Sequence, residues 1–157
     1  MRLRPRSTAT ILTANVTAPI ERVFGVLSDP DKIRQWLPGC RAVSGSELLF
    51  RGAWLEVKFG PRTTTFHITD FNPPLSLGWA EQGARRGTTT SFQLGKMGNT
   101  TSLRMKQVWT PPSVLAWLRA TLRNRRDPKR QLQQTLKNLR RLTGSFRSDR
   151  RRLGGDG

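Results

Sequence analysis

The chain has 157 residues, of which 35% are apolar, so its length suits one domain that buries roughly 70% of its unfolded surface. Basic residues outnumber acidic ones by 28 to ten, and 13 of the basic residues lie within residues 111–157. A single cysteine excludes an internal disulfide framework, and no stretch approaches the ~18 apolar residues of a membrane span. This composition predicts a soluble cytoplasmic protein.

The first elements are predicted to be one strand and two short helices. Residues 8–18 alternate apolar and polar side chains, which predicts a half-buried strand. After Pro19, apolar residues recur at helical spacing as far as Leu27. The run Ser28-Asp29-Pro30 then ends the first helix and caps a second short one, which continues through Trp36.

Residues 40–109 are predicted to form a series of short antiparallel strands. Apolar side chains alternate with polar ones, so each strand has one apolar face and one wet face. Turn residues interrupt the alternation at 60–61, 72–74, 83–87 and 95–99. The pattern is that of an antiparallel meander.

After residue 112 the apolar period becomes helical, and we expect a helical region over residues 113–142. Pro128 should kink or split it, with Asp127 as N-cap, and Gly144 should end it. The order of elements indicates an α+β fold, with a curved antiparallel sheet of six to seven strands covered by a long C-terminal helix. One helix, ~10 Å across, cannot fill the concave face of such a sheet, so a cavity is expected between them.

Several short runs resemble a known family. They are residues 18–24 (APIERVF), 27–30 (LSDP), 36–40 (WLPGC), 71–74 (FNPP) followed by Leu77 and Trp79, and the turn 98–101 (GNTT). The chain resembles the polyketide cyclase/dehydrase and lipid-transport group of the SRPBCC superfamily, also called START-like or Bet v 1-like. The resemblance implies a helix-grip fold with a deep pocket for lipids, polyketides, sterols or other apolar ligands. We expect a basic arm at residues 1–7, one ligand-binding domain at 8–143 and a flexible basic tail at 144–157.

The apolar phase of the strands and helices predicts the residues that face this pocket. They are Trp36, Leu55, Val57, Phe66, Trp79, Phe92, Met105, Gln107, Trp109, Trp117, Leu118, Leu122 and Leu136. Several aromatic side chains and a methionine suit an elongated or ring-bearing ligand, although each residue could equally be ordinary core. Gln107 is the polar exception on the apolar face, and it either bonds to backbone or fixes a polar end of the ligand.

The sequence offers no catalytic or metal-binding constellation. His67, the only histidine, falls on the solvent face, and one histidine with one cysteine offers no zinc or Cys/His constellation. No acidic residues pair on the pocket face, and the chain has no tyrosine. We predict no catalytic residue, metal or cofactor, and a non-catalytic or weakly catalytic carrier of a hydrophobic small molecule. A cyclase or dehydratase is the alternative, for which Gln107, Thr88, Thr90 and Asn15 are the polar candidates.

A stripe of basic residues follows the C-terminal helical region at spacings of three, four and seven. It comprises Arg119, Arg123, Arg126, Arg130, Lys137 and Arg141. Such a stripe would attract an anionic membrane, nucleic acid or an acidic protein, in a salt-dependent way. A solvated helix face in an arginine-rich chain is the other interpretation, and oligomeric state is left open.

Overall fold

The computed structural model describes residues 7–83, 87–110, 115 and 128–144. Seven antiparallel strands form one sheet in the order β1-β7-β6-β5-β4-β3-β2. The strands are β1 (Thr8–Val16), β2 (Ala42–Gly45), β3 (Trp54–Phe59), β4 (Arg62–Asn72), β5 (Ser76–Gly83), β6 (Thr88–Met97) and β7 (Thr100–Trp109). The described helices are α1 (Ile20–Ser28), α2 (Pro30–Trp36) and α3 (Pro128–Leu142). The predicted α+β helix-grip architecture is confirmed.

Two-residue turns fix the register of two hairpins. Gly60 and Pro61 join β3 to β4, and Gly98 and Asn99 join β6 to β7. Both glycines have positive φ, 67° and 62°, as tight hairpin turns require. The second turn was predicted over residues 95–99, but β6 continues to Met97 because residues 95–97 pair with β7.

The helices that follow β1 form as the sequence predicts. The Asp29 Oδ1 atom accepts a hydrogen bond from the Asp31 amide at 3.0 Å, so Asp29 caps α2. Trp36 at the end of α2 is completely buried, and its Nε1–H donates to the Val26 carbonyl oxygen at 3.1 Å. This bond ties α2 to α1.

The two faces of the sheet differ as the alternation requires. Leu55, Phe66, Leu103 and Met105 lie on the inner face and are at most 1% exposed. The outer face carries His67, which stacks on Trp54 with ring centroids 4.3 Å apart. The prediction that His67 lies on the solvent side is therefore confirmed.

Helix α3 packs its buried face over the inner face of the sheet, and the predicted N-cap Asp127 lies outside the described residues. The buried face comprises Leu132, Thr135, Leu136 and Leu139. The predicted helix over residues 113–127 lies outside the described residues except for Leu115, which is helical. Within the part of the chain described, no helix is long and apolar enough to cross a membrane.

Side chains from the second half of α3 fasten it to the rest of the domain. Asn138 Nδ2–H donates to the Trp36 carbonyl at 3.0 Å, and Arg140 Nη2–H donates to the Asn15 carbonyl at 2.8 Å. Leu139 is completely buried between these contacts. The C-terminal half of α3 is thus anchored to α2 and β1.

Candidate ligand-binding site

A cleft of about 30 Å³ lies between the first half of α3, the end of α2 and the inner face of the sheet. Its lining residues are Trp36, Leu37, Pro38, Phe66, Trp79, Glu81, Thr90, Phe92, Gln107, Gln131, Leu132 and Thr135. A cavity of this volume holds about two water molecules. The free space in the cleft is therefore small in this structure.

Four aromatic rings form one wall of the cleft around Trp79. Phe66 stacks on Trp79, with centroids 4.8 Å apart and planes inclined by 10°. Phe92 lies 5.4 Å from Trp79 on the other side, and Trp36 lies 6.1 Å from it. Trp36 also meets Phe92 edge to face at 5.6 Å. Offset and edge-to-face contacts of this kind hold aromatic rings in fixed orientations.

Polar side chains form a band across the same face of the sheet. Trp79 on β5 pairs with Thr90 on β6, and Thr90 pairs with Gln107 on β7, so the three lie in one row. Thr88 on β6 and Glu81 on β5 lie one step further along the same face and are 6% and 3% exposed. The inner face thus changes from apolar to polar along the strands, and the cleft spans the boundary.

The two buried tryptophans of the cleft differ in hydrogen bonding. Trp36 Nε1–H donates to the Val26 carbonyl, whereas Trp79 Nε1–H has no hydrogen-bond partner within the part of the chain that the structure describes. Trp79 is 2% exposed, so bulk water does not reach the indole freely. This is an unusual state for a buried N–H group.

The structure brings some of the predicted pocket residues to the cleft and places others elsewhere. Trp36, Phe66, Trp79, Phe92 and Gln107 line it. Leu55, Val57, Met105 and Leu136 are buried in the core but are not among its lining residues, and Trp109 is half-buried on β7 opposite Thr88. Trp117, Leu118 and Leu122 lie outside the described residues.

Three polar residues of the cleft are missing from the sequence prediction. Glu81 was overlooked although it follows Trp79 by two residues and so shares its face. Gln131 and Thr135 were overlooked because only the leucines of α3 were assigned to the buried face. The proposal of Asn15 as a pocket residue was wrong, since Asn15 is exposed on β1.

The predicted basic stripe is only partly described. Arg130, Lys137 and Arg141 are exposed on α3, on the side away from Leu136 and Leu139. Arg119, Arg123 and Arg126 lie outside the described residues.

Cys40 is half-buried after α2, and this burial raises the pKa of its thiol above the ordinary value. A backbone hydrogen bond of Ala42 and the charge of Arg34 oppose the effect more weakly. Among the residues described, no group of three or more histidine, cysteine, aspartate or glutamate side chains could hold a metal ion.

The fold and the cleft define a helix-grip protein with an internal site under its last helix. A family model described as "Polyketide cyclase / dehydrase and lipid transport" matches residues 7–144. The chain therefore belongs to this family of the SRPBCC superfamily, as the sequence resemblance predicts. A search of curated proteins found no match.

Solved structures share the fold at low sequence identity. Protein BH1534 of Bacillus halodurans has a TM-score of 0.68 and 16% identity, over 90% of this chain and 99% of that one. Protein MLL2253 of Mesorhizobium loti has a TM-score of 0.64 and 18% identity, over 86% and 96%. DynU16, from the dynemicin biosynthetic locus, has a TM-score of 0.62 and 18% identity over 85% of this chain, which spans only 46% of DynU16.

Proposed function

We propose that this protein binds and carries a ring-bearing hydrophobic small molecule in the cleft under α3. The observation that carries the proposal is the set of four aromatic rings meeting a polar band on the inner face of the sheet. Binding sites for small molecules are mostly apolar, with a few polar groups that orient the ligand. Membership of the family supports the same class of ligand.

Entry of a ligand requires one wall of the cleft to move, because about 30 Å³ is too small for a ring system. The described hydrogen bonds of Asn138 and Arg140 hold the second half of α3. Gln131, Leu132 and Thr135, which line the cleft, belong to its first half. We infer that the cleft widens between these α3 side chains and the aromatic rings of the sheet when the ligand enters.

The test uses fluorene, a rigid tricyclic hydrocarbon, as the probe in equilibrium dialysis. Gln131→Trp places a bulky ring at the cleft, and we expect it to weaken fluorene binding at least about tenfold. Gln133→Trp is the matched control, since Gln133 is exposed on the same helix, and it should bind like the wild type. Native mass spectrometry of the purified protein should also recover a bound apolar compound. A wild-type protein that neither carries such a compound nor binds fluorene would reject the proposal.

A cyclase or dehydratase is the second candidate, and the polar band favours it. The buried carboxyl group of Glu81 lies on the same face as Gln107 and Thr90, so acid–base and hydrogen-bonding groups converge on one cleft. With a polyketide substrate in hand, Gln107→Leu should abolish turnover while substrate uptake stays unchanged. Turnover that survives both Gln107→Leu and Glu81→Gln would exclude this candidate.

A binding surface for an anionic partner is a third candidate, supported by the exposed Arg130, Lys137 and Arg141 on α3. The sequence carries a net charge of +18, which attracts anionic membranes, nucleic acid and acidic proteins alike. This surface lies on the side of α3 away from its buried face, so it could act together with ligand carriage.

A further inference from the structure

Large apolar side chains are exposed at one end of the sheet. The connections β2–β3, β4–β5 and β6–β7 lie at this end, because consecutive antiparallel strands turn alternately at opposite ends. Each of the three connections carries or adjoins at least one large apolar side chain that is between 49% and 77% exposed. These side chains, called here the apolar tips, are Leu48, Phe50, Leu75 and Met97.

The loop between β2 and β3 holds its two apolar tips in place. Leu49 lies between Leu48 and Phe50 and is buried in the core, whereas both neighbours are exposed. The amide of Gly52 donates a hydrogen bond to the Ile68 carbonyl at 2.8 Å, which ties the loop to β4. Apolar side chains that an anchored loop holds in water carry a cost, and clusters of them usually mark a contact surface.

The spacing of the apolar tips favours a fluid partner over a protein. Neighbouring connections at this end are two strand spacings apart, which is about 10 Å, so the tips of different connections stand separately in a row. A protein partner would need a separate pocket for each tip. A lipid bilayer accepts each apolar side chain independently, to a depth of about 5–10 Å at the boundary of headgroups and acyl chains.

The residues around the tips favour a bilayer with negative charge. Exposed cations adjoin the tips of two connections, Arg51 in the first and Lys96 in the third. The acidic residue Glu47 also lies in the first, so cations outnumber acids here as they do in the whole chain. Trp54, which follows the first loop and is 46% exposed, adds an amphipathic ring of the kind enriched at membrane–water interfaces.

We infer that this end of the domain docks on an anionic lipid bilayer, with the four apolar tips inserted at the boundary of headgroups and acyl chains. The contact is distinct from electrostatic attraction by the exposed face of α3, because it removes apolar surface from water. Salt screens attraction between exposed charges but leaves burial of apolar surface in place. Docking by the tips does not depend on what the cleft binds.

The experiment measures sedimentation of the protein with vesicles of phosphatidylglycerol and phosphatidylcholine. Leu48→Ser should weaken binding at least about fivefold, because a large apolar side chain no longer leaves water. Met97→Ser, at a different connection, should also weaken binding. Ile11→Ser is the matched control, since Ile11 is a similarly large apolar residue, 45% exposed, on β1 away from the tips. It should bind within about twofold of the wild type.

A second measurement locates the contact directly. In a Cys40→Ser background, a polarity-sensitive dye attached through Leu48→Cys should shift its emission to the blue when vesicles are added, also at high salt. The same dye attached through Arg62→Cys, which lies at the opposite end of the sheet, should not shift. Equal effects of Leu48→Ser and Ile11→Ser, a dye that responds alike at both ends, or binding lost entirely at high salt would each overturn the inference.

Discussion

A single hydroxyl group joins three elements at the end of β1. Thr101 on β7 is completely buried, and its Oγ1–H donates to the carbonyl of Ala18 at 2.8 Å. Ala18 lies between β1 and α1, so this bond fixes the angle at which the first helix leaves the sheet. Buried side-chain bonds to backbone of this kind contribute mainly because the alternative is an unsatisfied carbonyl.

We predict that Thr101→Val lowers the free energy of unfolding by about 1–3 kcal/mol, because valine keeps the shape and removes the donor. Thr89→Val is the matched control, since Thr89 is exposed on β6, and it should change stability by less than about 0.5 kcal/mol. Urea unfolding followed by tryptophan fluorescence measures both. Equal effects of the two substitutions would show that the buried bond contributes nothing.

Cys40 gives a prediction about pH. Burial raises the pKa of its thiol, so the folded chain loses this proton at higher pH than the unfolded chain does. The contribution of this thiol to the free energy of unfolding is fully present below its ordinary pKa of about 8.5 and declines as the pH rises above that value. Alkylation by iodoacetamide at pH 8.5 should therefore be slower in buffer than in concentrated urea.

The only cysteine of the chain makes the control simple. Cys40→Ser should not be alkylated, and its stability should decline less than that of the wild type above pH 8.5. Native and unfolded chains alkylated at equal rates would contradict the assignment.

At the level of elements, the short strand β2 depends on one glycine. Gly45 has a φ of 122°, and a Cβ atom there would lie 2.6 Å from the Trp54 carbonyl oxygen on the neighbouring strand. Gly60, at the next hairpin, also has a positive φ of 67°, but nothing lies within 4 Å of its Cβ position. Comparing substitutions at the two glycines therefore distinguishes the cost of a positive φ from the cost of steric overlap with β3.

We predict that Gly60→Ala lowers the free energy of unfolding by about 1 kcal/mol, the cost of a left-handed alanine. Gly45→Ala should cost at least about 2 kcal/mol more, because its methyl group displaces β3 as well. Chemical denaturation gives both values, and amide exchange should show the loss of protection confined to β2 and β3. Similar costs for the two variants would mean that the close approach at Gly45 relaxes freely.

The strands and helices also show what sequence patterns can and cannot predict. Alternation and turn residues predict six of the strands, α1, α2 and the apolar face of α3, because burial of one face imposes the period directly. The four-residue β2 was not predicted, since its burial pattern has no clear period. The cleft depends on register between strands, and that is why Trp79, Thr90 and Gln107 come together in a way that no local pattern reveals.

At the level of the whole molecule, the net charge of +18 raises the question of whether overall charge or one face attracts anionic partners. Exposed charges further apart than the Debye length, about 8–10 Å in ordinary buffer, act almost independently. Arg130, Lys137 and Arg141 are spaced along one side of α3, whereas other exposed cations are distributed over α1, α2 and the outer face of the sheet. A concentrated face should therefore dominate binding.

Two triple variants, each of which lowers the net charge by three units, distinguish attraction by the α3 face from attraction by the total charge. One replaces Arg130, Lys137 and Arg141 with glutamine, and the other replaces Lys58, Arg104 and Lys106, which are exposed on β3 and β7. We predict that the α3 triple weakens binding to phosphatidylglycerol vesicles, or to duplex DNA, at least about tenfold and reduces the salt dependence, because fewer counterions are released. The sheet triple should keep most of the affinity. Equal losses would assign the attraction to total charge, and binding unaffected by salt would remove the electrostatic surface altogether.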